Sequence, residues 1–236
     1  LAAFSVLFGT RHIDATEHQN GLMLAIAAES IVKLAAFLIV GAFIFVSAFG
    51  DISGFAERAR SSHLITSTFE RSFNGGVWLT VTLLSFVCII LLPRQFHVTV
   101  VENRSETEIR RAGWLFPLYI VLINLFVVPV AAAGLVTLPQ GLVDADFYML
   151  ALPIAKGSEL IAIIAFLGGL SAAAAMVIVE SVALAIMVCN GLVIPLLLRY
   201  RVIDATSHDD IAGTLLVIRR TAIFLICLLG YGMFKL

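Results

Sequence analysis

Residues Gly21–Leu38 read GLMLAIAAESIVKLAAFL. A helix through this stretch is apolar all round except for Glu29 and Lys33, which stand four residues apart. From there the chain stays uncharged to Gly50. A bilayer hydrocarbon core of about 30 Å takes about 20 mostly apolar helical residues. Gly21–Gly50 is therefore expected to cross a membrane with length to spare. Two opposite charges inside such a segment need a reason.

Composition supports the membrane reading. The 236-residue chain is 61% hydrophobic and 13% charged, against about 25% charged residues in soluble domains. Its mean hydropathy is +1.05. That leaves too little polar surface to coat a globule in water, so a lipid bilayer is the expected partner. A net charge of −1 offers no basic field for nucleic acid. Cys88, Cys189 and Cys227 lie in apolar runs without a CxxC spacing, which fits small packing residues better than a disulfide or metal centre. No Gly-rich nucleotide loop, nucleophile elbow or metal-ligand motif occurs, and no catalytic residue is assigned.

Four more apolar runs follow: Ser72–Pro93; Gly113–Val136, which contains Pro117 and Pro129; Leu160–Leu198, where Glu180 is the one charge; and Gly213–Phe234, with Arg219 and Arg220 near its start. They are continuous and rich in Ala, Leu, Ile and Val, unlike the apolar/polar alternation of a transmembrane barrel. The fold class is expected to be an all-α polytopic membrane protein. Its full spans fall at about 21–50, 72–93, 113–136, 160–198 and 213–234, with Leu1–Gly9 the tail of an earlier one. Both termini lie in apolar runs without an initiator Met, a charged n-region or a cleavage site. The chain therefore reads as a fragment of a longer protein.

Loop charges orient the spans. On one side fall Arg11, Arg94, Arg104, Arg110, Arg111, Arg199 and Arg201; on the other fall Arg58, Arg60, Arg71 and Lys156. Seven against four places the first side in the cytoplasm. Val101–Gly113, VENRSETEIRRAG, is expected to form a short surface helix there. Val136–Pro153 is expected to be a loop lying on the outer surface. Phe73–Gly76, with its paired glycines, is expected to be flexible backbone near the outer mouth.

Several local patterns coincide. GLMLAIAAES places Glu29 eight residues into a helix that enters from the cytoplasm. LLPRQFHVTVVENRSETEIRRAGWLFPLY closes a span with a polar knot and runs through a charged stretch into the next. GLSAAAAMVIVESVALAIMVCNGLVIPLLLR is a small-residue helix that continues past the membrane. Together these resemble the sodium:solute symporter family, the group of the sodium/proline permeases and sodium/glucose cotransporters. FGTRHIDATEHQNGL and LPRQFHVTVVEN are most similar to the variant fused to bacterial sensor histidine kinases.

The resemblance covers nearly the whole chain. It implies a partial bacterial leucine-transporter-type inverted-repeat bundle, running from the end of the fourth core helix through the ninth. It also implies a multi-pass protein of the bacterial inner membrane that binds or moves a small organic solute, a carboxylate or amino acid. Sodium would be the coupling ion, and a fused or partner kinase of a two-component system the signalling output. Solute and ion sites in such folds lie near the midplane between broken helices. The alternative is a stand-alone sodium- or proton-coupled secondary transporter without a kinase.

The candidate residues follow from burial cost. An i, i+4 Glu-to-Lys pair can neutralise itself, and Glu29 would lie about 12 Å and Lys33 about 18 Å into the helix. The two are either a self-paired anchor or an inner-gate pair. Glu180 must face a cavity, water or a cation such as Lys33 or Arg219, because an unpaired carboxylate in hydrocarbon is expensive. Arg94, Gln95 and His97 follow the helix-breaking Pro93 and are either interface anchors, an inner gate, or the surface that passes a signal to a fused domain. His208, in SHDD, lacks the surroundings of a phosphoacceptor and is read as a surface residue. The family's sodium position falls in Gly168–Met176, where hydroxyls are expected. Here Ser171 is followed by Ala172, Ala173, Ala174 and Ala175, so Ser171, Ala174 and Ala175 mark the region without supplying its usual donors.

Overall fold

A computed structural model describes residues 20–69, 74–138, 143–199 and 208–235. Leu1–Gly9, the expected tail of an earlier span, lies outside them. Among the described residues every regular element is a helix. Four helical stretches are long and apolar enough to cross a membrane: Met23–Phe49, Glu106–Thr137, Glu159–Leu197 and Leu216–Lys235. A fifth exists only if the bent pair Gly75–Leu91 and Pro93–Val101 counts as one span. The described residues are thus all-helical, with helices whose length and composition are those of membrane spans.

Departures from the expected spans have local causes. Helix α1 is Asn20–Phe49, α2 is Ile52–Ser61, α3 is His63–Phe69 and α4 is Gly75–Leu91. Asn74 caps α4, its Oδ1 accepting from the N–H of Gly76 at 3.0 Å and of Val77 at 3.3 Å. The glycines expected to be flexible backbone are thus the capped first turn of a helix. The run expected to cross at 72–93 stops at Leu92, which is extended at φ −70° and ψ 128°. Pro93 causes this, since its ring clashes with a helical residue before it. The chain then bends by 52° into α5, Pro93–Phe96, and a π-helical turn at His97–Val101.

Helix α6 is Glu106–Asn124, and α7 is Val127–Thr137. The expected surface helix is not separate: Glu106, Glu108, Arg110 and Arg111 form the first turns of α6, which runs through Gly113 without a break, while Glu102 and Arg104 precede it. Glu106 and Glu108 in that first turn suit the positive end of a helix dipole. The helix does break at Leu125 and Phe126, because Pro129 in the first turn of α7 cannot follow a continuous helix without meeting the carbonyl four residues back. After a 3₁₀ turn at Ala145–Phe147 comes α8, Tyr148–Ala155. Its Leu152 and Pro153 are buried, so this part of the expected outer loop is a packed helix. Helix α9, Glu159–Val188, continues through a π turn at Cys189–Val193 into α10, Ile194–Arg199, and α11 is His208–Lys235.

The chain divides into two compact units. One comprises residues 28–79 and 106–172. Its core holds Val40, Ile44, Ala48, Phe49, Ile65, Val130, Ala132, Ala133 and Leu152. Phe49 meets Phe55 edge-on at 5.0 Å, and Phe45 lies 6.4 Å from Phe126. Small residues set how near the helices come. A Cβ on Gly41 would lie 2.5 Å from Phe126 Cβ, and one on Gly168 would lie 2.6 Å from Ala36 Cβ.

The junction between α1 and α2 is compact. Gly50, at φ +80°, takes the left-handed conformation that ends α1, and Asp51 starts α2. The Asp51 carboxylate accepts from Gly54 N at 2.7 Å and from Ser53 Oγ at 2.8 Å. These bonds, that from Gly54 first, hold its pKa below the usual carboxylate range. The sign follows: the ionised cap stabilises the fold above the unfolded-state pKa of about 4. That contribution is lost as pH falls through the lower folded-state value. Asp51→Asn, which caps without titrating, should melt below wild type at pH 7, with the gap closing as the pH is taken below about 4. A gap independent of pH would remove the carboxylate from this role.

Among the described residues, the other unit comprises 20–27, 80–105, 173–199 and 208–235. Val182, Ala185 and Ile223 form its buried centre, with Met23, Ile26, Ile178, Ile186, Ala222, Ile226 and Cys227 around them. Here the start of α1, the second half of α9 and α11 pack together.

Candidate functional site

Both π-helical turns belong to the second unit, and each has a buried polar side chain on it or against it, His97 on the first and Arg219 against the second. A π turn spends an extra residue per turn, and such turns recur where helices carry function. At the first, the N–H of Glu102 donates to the carbonyl of His97 at 3.0 Å, the five-residue closure of the turn. The same wide turn brings the two side chains together: His97 Nε2 lies 3.4 Å from Glu102 Oε1, with side chains 8% and 4% exposed. Arg94 and Gln95, on α5 just before, are half-buried.

At the second turn, Asn190 follows the fully buried Cys189. Arg219, from the first half of α11, reaches it. Its Nη2 donates to Asn190 Oδ1 at a long 3.4 Å. Arg219 is 6% exposed, and its Nε is buried without a hydrogen-bond partner. Among the described residues no carboxylate forms an ion pair with it.

The remaining candidates fall elsewhere. On α1, Lys33 Nζ lies 3.8 Å from Glu29 Oε1, so these two pair with each other as the i, i+4 spacing allows. Glu180 is half-buried on α9, one turn from the exposed Met176 and Val177. The cation partners named for it are committed otherwise, Lys33 to Glu29 and Arg219 to Asn190. Asn190 lies ten residues beyond Glu180, about 15 Å along the helix, which puts the guanidinium at the wrong level for that carboxylate. Ser171 and Ala174 are half-buried and Ala175 is buried, all inside the unbroken α9.

A paired-hydroxyl sodium site does not fit there. Methyl groups stand where oxygens would be needed, and helix carbonyls are already engaged by N–H groups one turn on. Among the described residues no group of three or more His, Cys, Asp or Glu side chains could hold a metal.

Sequence reasoning named His97 and Arg219 but not Glu102 or Asn190. The spacing of His97 and Glu102 is five, which no α-helical template pairs. Asn190 and Arg219 are 29 residues apart and meet only through packing. Comparison with family models, curated proteins and solved structures finds no match to this chain.

Proposed function

We propose that the chain is the membrane module of a protein of the sodium:solute symporter type, fused to or partnered with a sensor histidine kinase in a bacterial inner membrane. In this reading it is part of a leucine-transporter-type inverted-repeat bundle, and its ligand is a small organic carboxylate or amino acid. The observation that carries the proposal is the placing of polar pairs at irregular turns of otherwise apolar helices, the buried His97–Glu102 after the Pro93 break and the buried Arg219 on the exposed Asn190 at the α9 π turn. Polar groups within membrane helices are costly and mark solute or ion pathways and switches. The sequence patterns around LPRQFHVTVVEN supply the family and the kinase connection.

Mechanistically, the solute would bind one of two arrangements of the bundle more tightly and shift the population toward it by that difference in affinity. The two wide turns are where helix geometry can change at least cost, because a π turn and an α turn differ by one residue of register.

The test uses the full-length protein from the complete reading frame, reconstituted in liposomes and challenged with small amino acids and monocarboxylates. Gradient-driven uptake, or solute-dependent autophosphorylation of a kinase core, is the expected result. Glu180→Gln should lower that response roughly tenfold, the scale of one lost charged contact. A response to none of these solutes by either readout would sink the reading.

A further inference from the structure

The guanidinium of Arg219 is the least satisfied charge among the described residues. It is 6% exposed, its Nε has no partner, and its bond to Asn190 is a long 3.4 Å. Guanidinium groups carry about five N–H donors and cannot lose their charge in proteins. A buried group of this kind is retained only when something of opposite charge meets it, because an uncompensated buried ion costs several kcal/mol. Ala222 and Ile223, within one turn of Arg219 on α11, belong to an apolar cluster with Val182 and Ala185 of α9.

The arrangement selects a class of ligand. Nε–H and Nη2 lie on the same edge of the guanidinium, the edge that takes both oxygens of a carboxylate or phosphate in a fork. Asn190 engages that edge through one long contact and has an amide nitrogen of its own to offer. Asn190 itself is exposed, and a Cβ on the next residue, Gly191, would meet nothing within 4 Å, so the Asn190 end of the contact faces outward while the guanidinium edge is buried. Cys189, buried at the head of the turn, holds the backbone in place. We infer that Arg219 and Asn190, joined across the π turn of α9, form an oxyanion-binding site that recognises two oxygens of a carboxylate or phosphate group. The site does not depend on the chain moving a solute.

The same chemistry could arrive as a free anion or as a lipid headgroup phosphate, and the experiment separates them. Full-length protein in phospholipid-free maltoside micelles is melted in sodium acetate, then in sodium phosphate, each against sodium chloride of equal ionic strength. Wild type should gain roughly 2–4 °C from at least one oxyanion. Arg220→Gln, which removes an exposed neighbouring charge, should keep that gain. Asn190→Asp, which places a carboxylate against Arg219 from within, should fold and lose it.

If neither anion acts on wild type, native mass spectrometry of protein purified with phosphatidylglycerol decides the source. Lipid retained by wild type and lost by Asn190→Asp assigns the site to the headgroup. An anion gain that Asn190→Asp preserves overturns the inference, as does the absence of both an anion gain and differential lipid retention. Neither readout uses transport or phosphorylation, so failure here and failure of the symporter-type reading are told apart.

Discussion

Arg219→Met should melt at a higher temperature than wild type when both are measured without added oxyanions. Most substitutions of a buried residue do the reverse. The sign follows from the balance of two terms. The guanidinium of Arg219 is desolvated, with a single weak bond and no carboxylate in ion-pair range among the described residues. Replacing buried ionic groups by apolar side chains of similar volume commonly stabilises by about 1–4 kcal/mol. Methionine keeps the unbranched stem that packs beside Ile223 and adapts to the remaining volume. At roughly 2–4 °C per kcal/mol for a chain of this size, the rise is measurable by size-exclusion after graded heating. Addition of acetate or phosphate should narrow the gap, because only wild type has a charge for the anion to meet. A lower midpoint for the variant in anion-free buffer would show that the guanidinium already makes net favourable contacts.

Gly134→Val should abolish the monodisperse folded species. Gly134 is buried in α7, and even a Cβ there would overlap Cγ, Cδ2 and Cε2 of Tyr148. The ring cannot retreat freely, because its own helix is held by the buried Leu152 and Pro153. Removing a mid-helix glycine gains up to about 1 kcal/mol of helix propensity. Overpacking a tight contact costs typically about 1–3 kcal/mol and more where backbone must move, so the clash wins. Two companions make the result specific. Gly134→Val combined with Tyr148→Ala should recover much of the folded peak, as contacting residues couple. Gly169→Ala, at a helical glycine with open space beside it, should be neutral or slightly stabilising. Normal elution of Gly134→Val alone would mean that α7 and α8 do not approach as described.

The membrane-helix architecture was readable from apolar run length alone, because the requirement to satisfy every backbone group in lipid leaves little else for such runs to do. Breaks were harder. Pro93 reads as a helix breaker, and the run stops at the residue before it, whereas Pro129 reads as lying inside an expected span and instead follows a break at Leu125 and Phe126. Pro117, equally visible, sits inside α6 without stopping it. Whether a proline breaks a helix depends on what can take up the freed carbonyl, and sequence does not show that.

The candidate site was half legible. Charges inside apolar runs flagged Glu29, Lys33, Glu180 and Arg219 by their cost alone. Their partners depended on the register of wide turns: Glu102 falls opposite His97 only because the turn is π rather than α. Leu152 and Pro153 were read as part of a surface loop because their stretch is short and holds two aspartates, while their burial comes from contacts that no local pattern records.

One end of α11 gives the other a mechanical meaning. Lys235 Nζ lies 5.9 Å from the Tyr231 ring centre and 6.0 Å from that of Phe234. A cation among aromatic rings is the kind of collar that floats at the headgroup level. Arg219 is sixteen residues away on the same helix, a distance of about 24 Å. Were that end anchored at the headgroups, a tilt of α11 by about 10° would swing Arg219 through about 4 Å. That is wider than the reach of any hydrogen bond, so a thinner or thicker bilayer, by altering the tilt, would open or close the contact between Arg219 and Asn190.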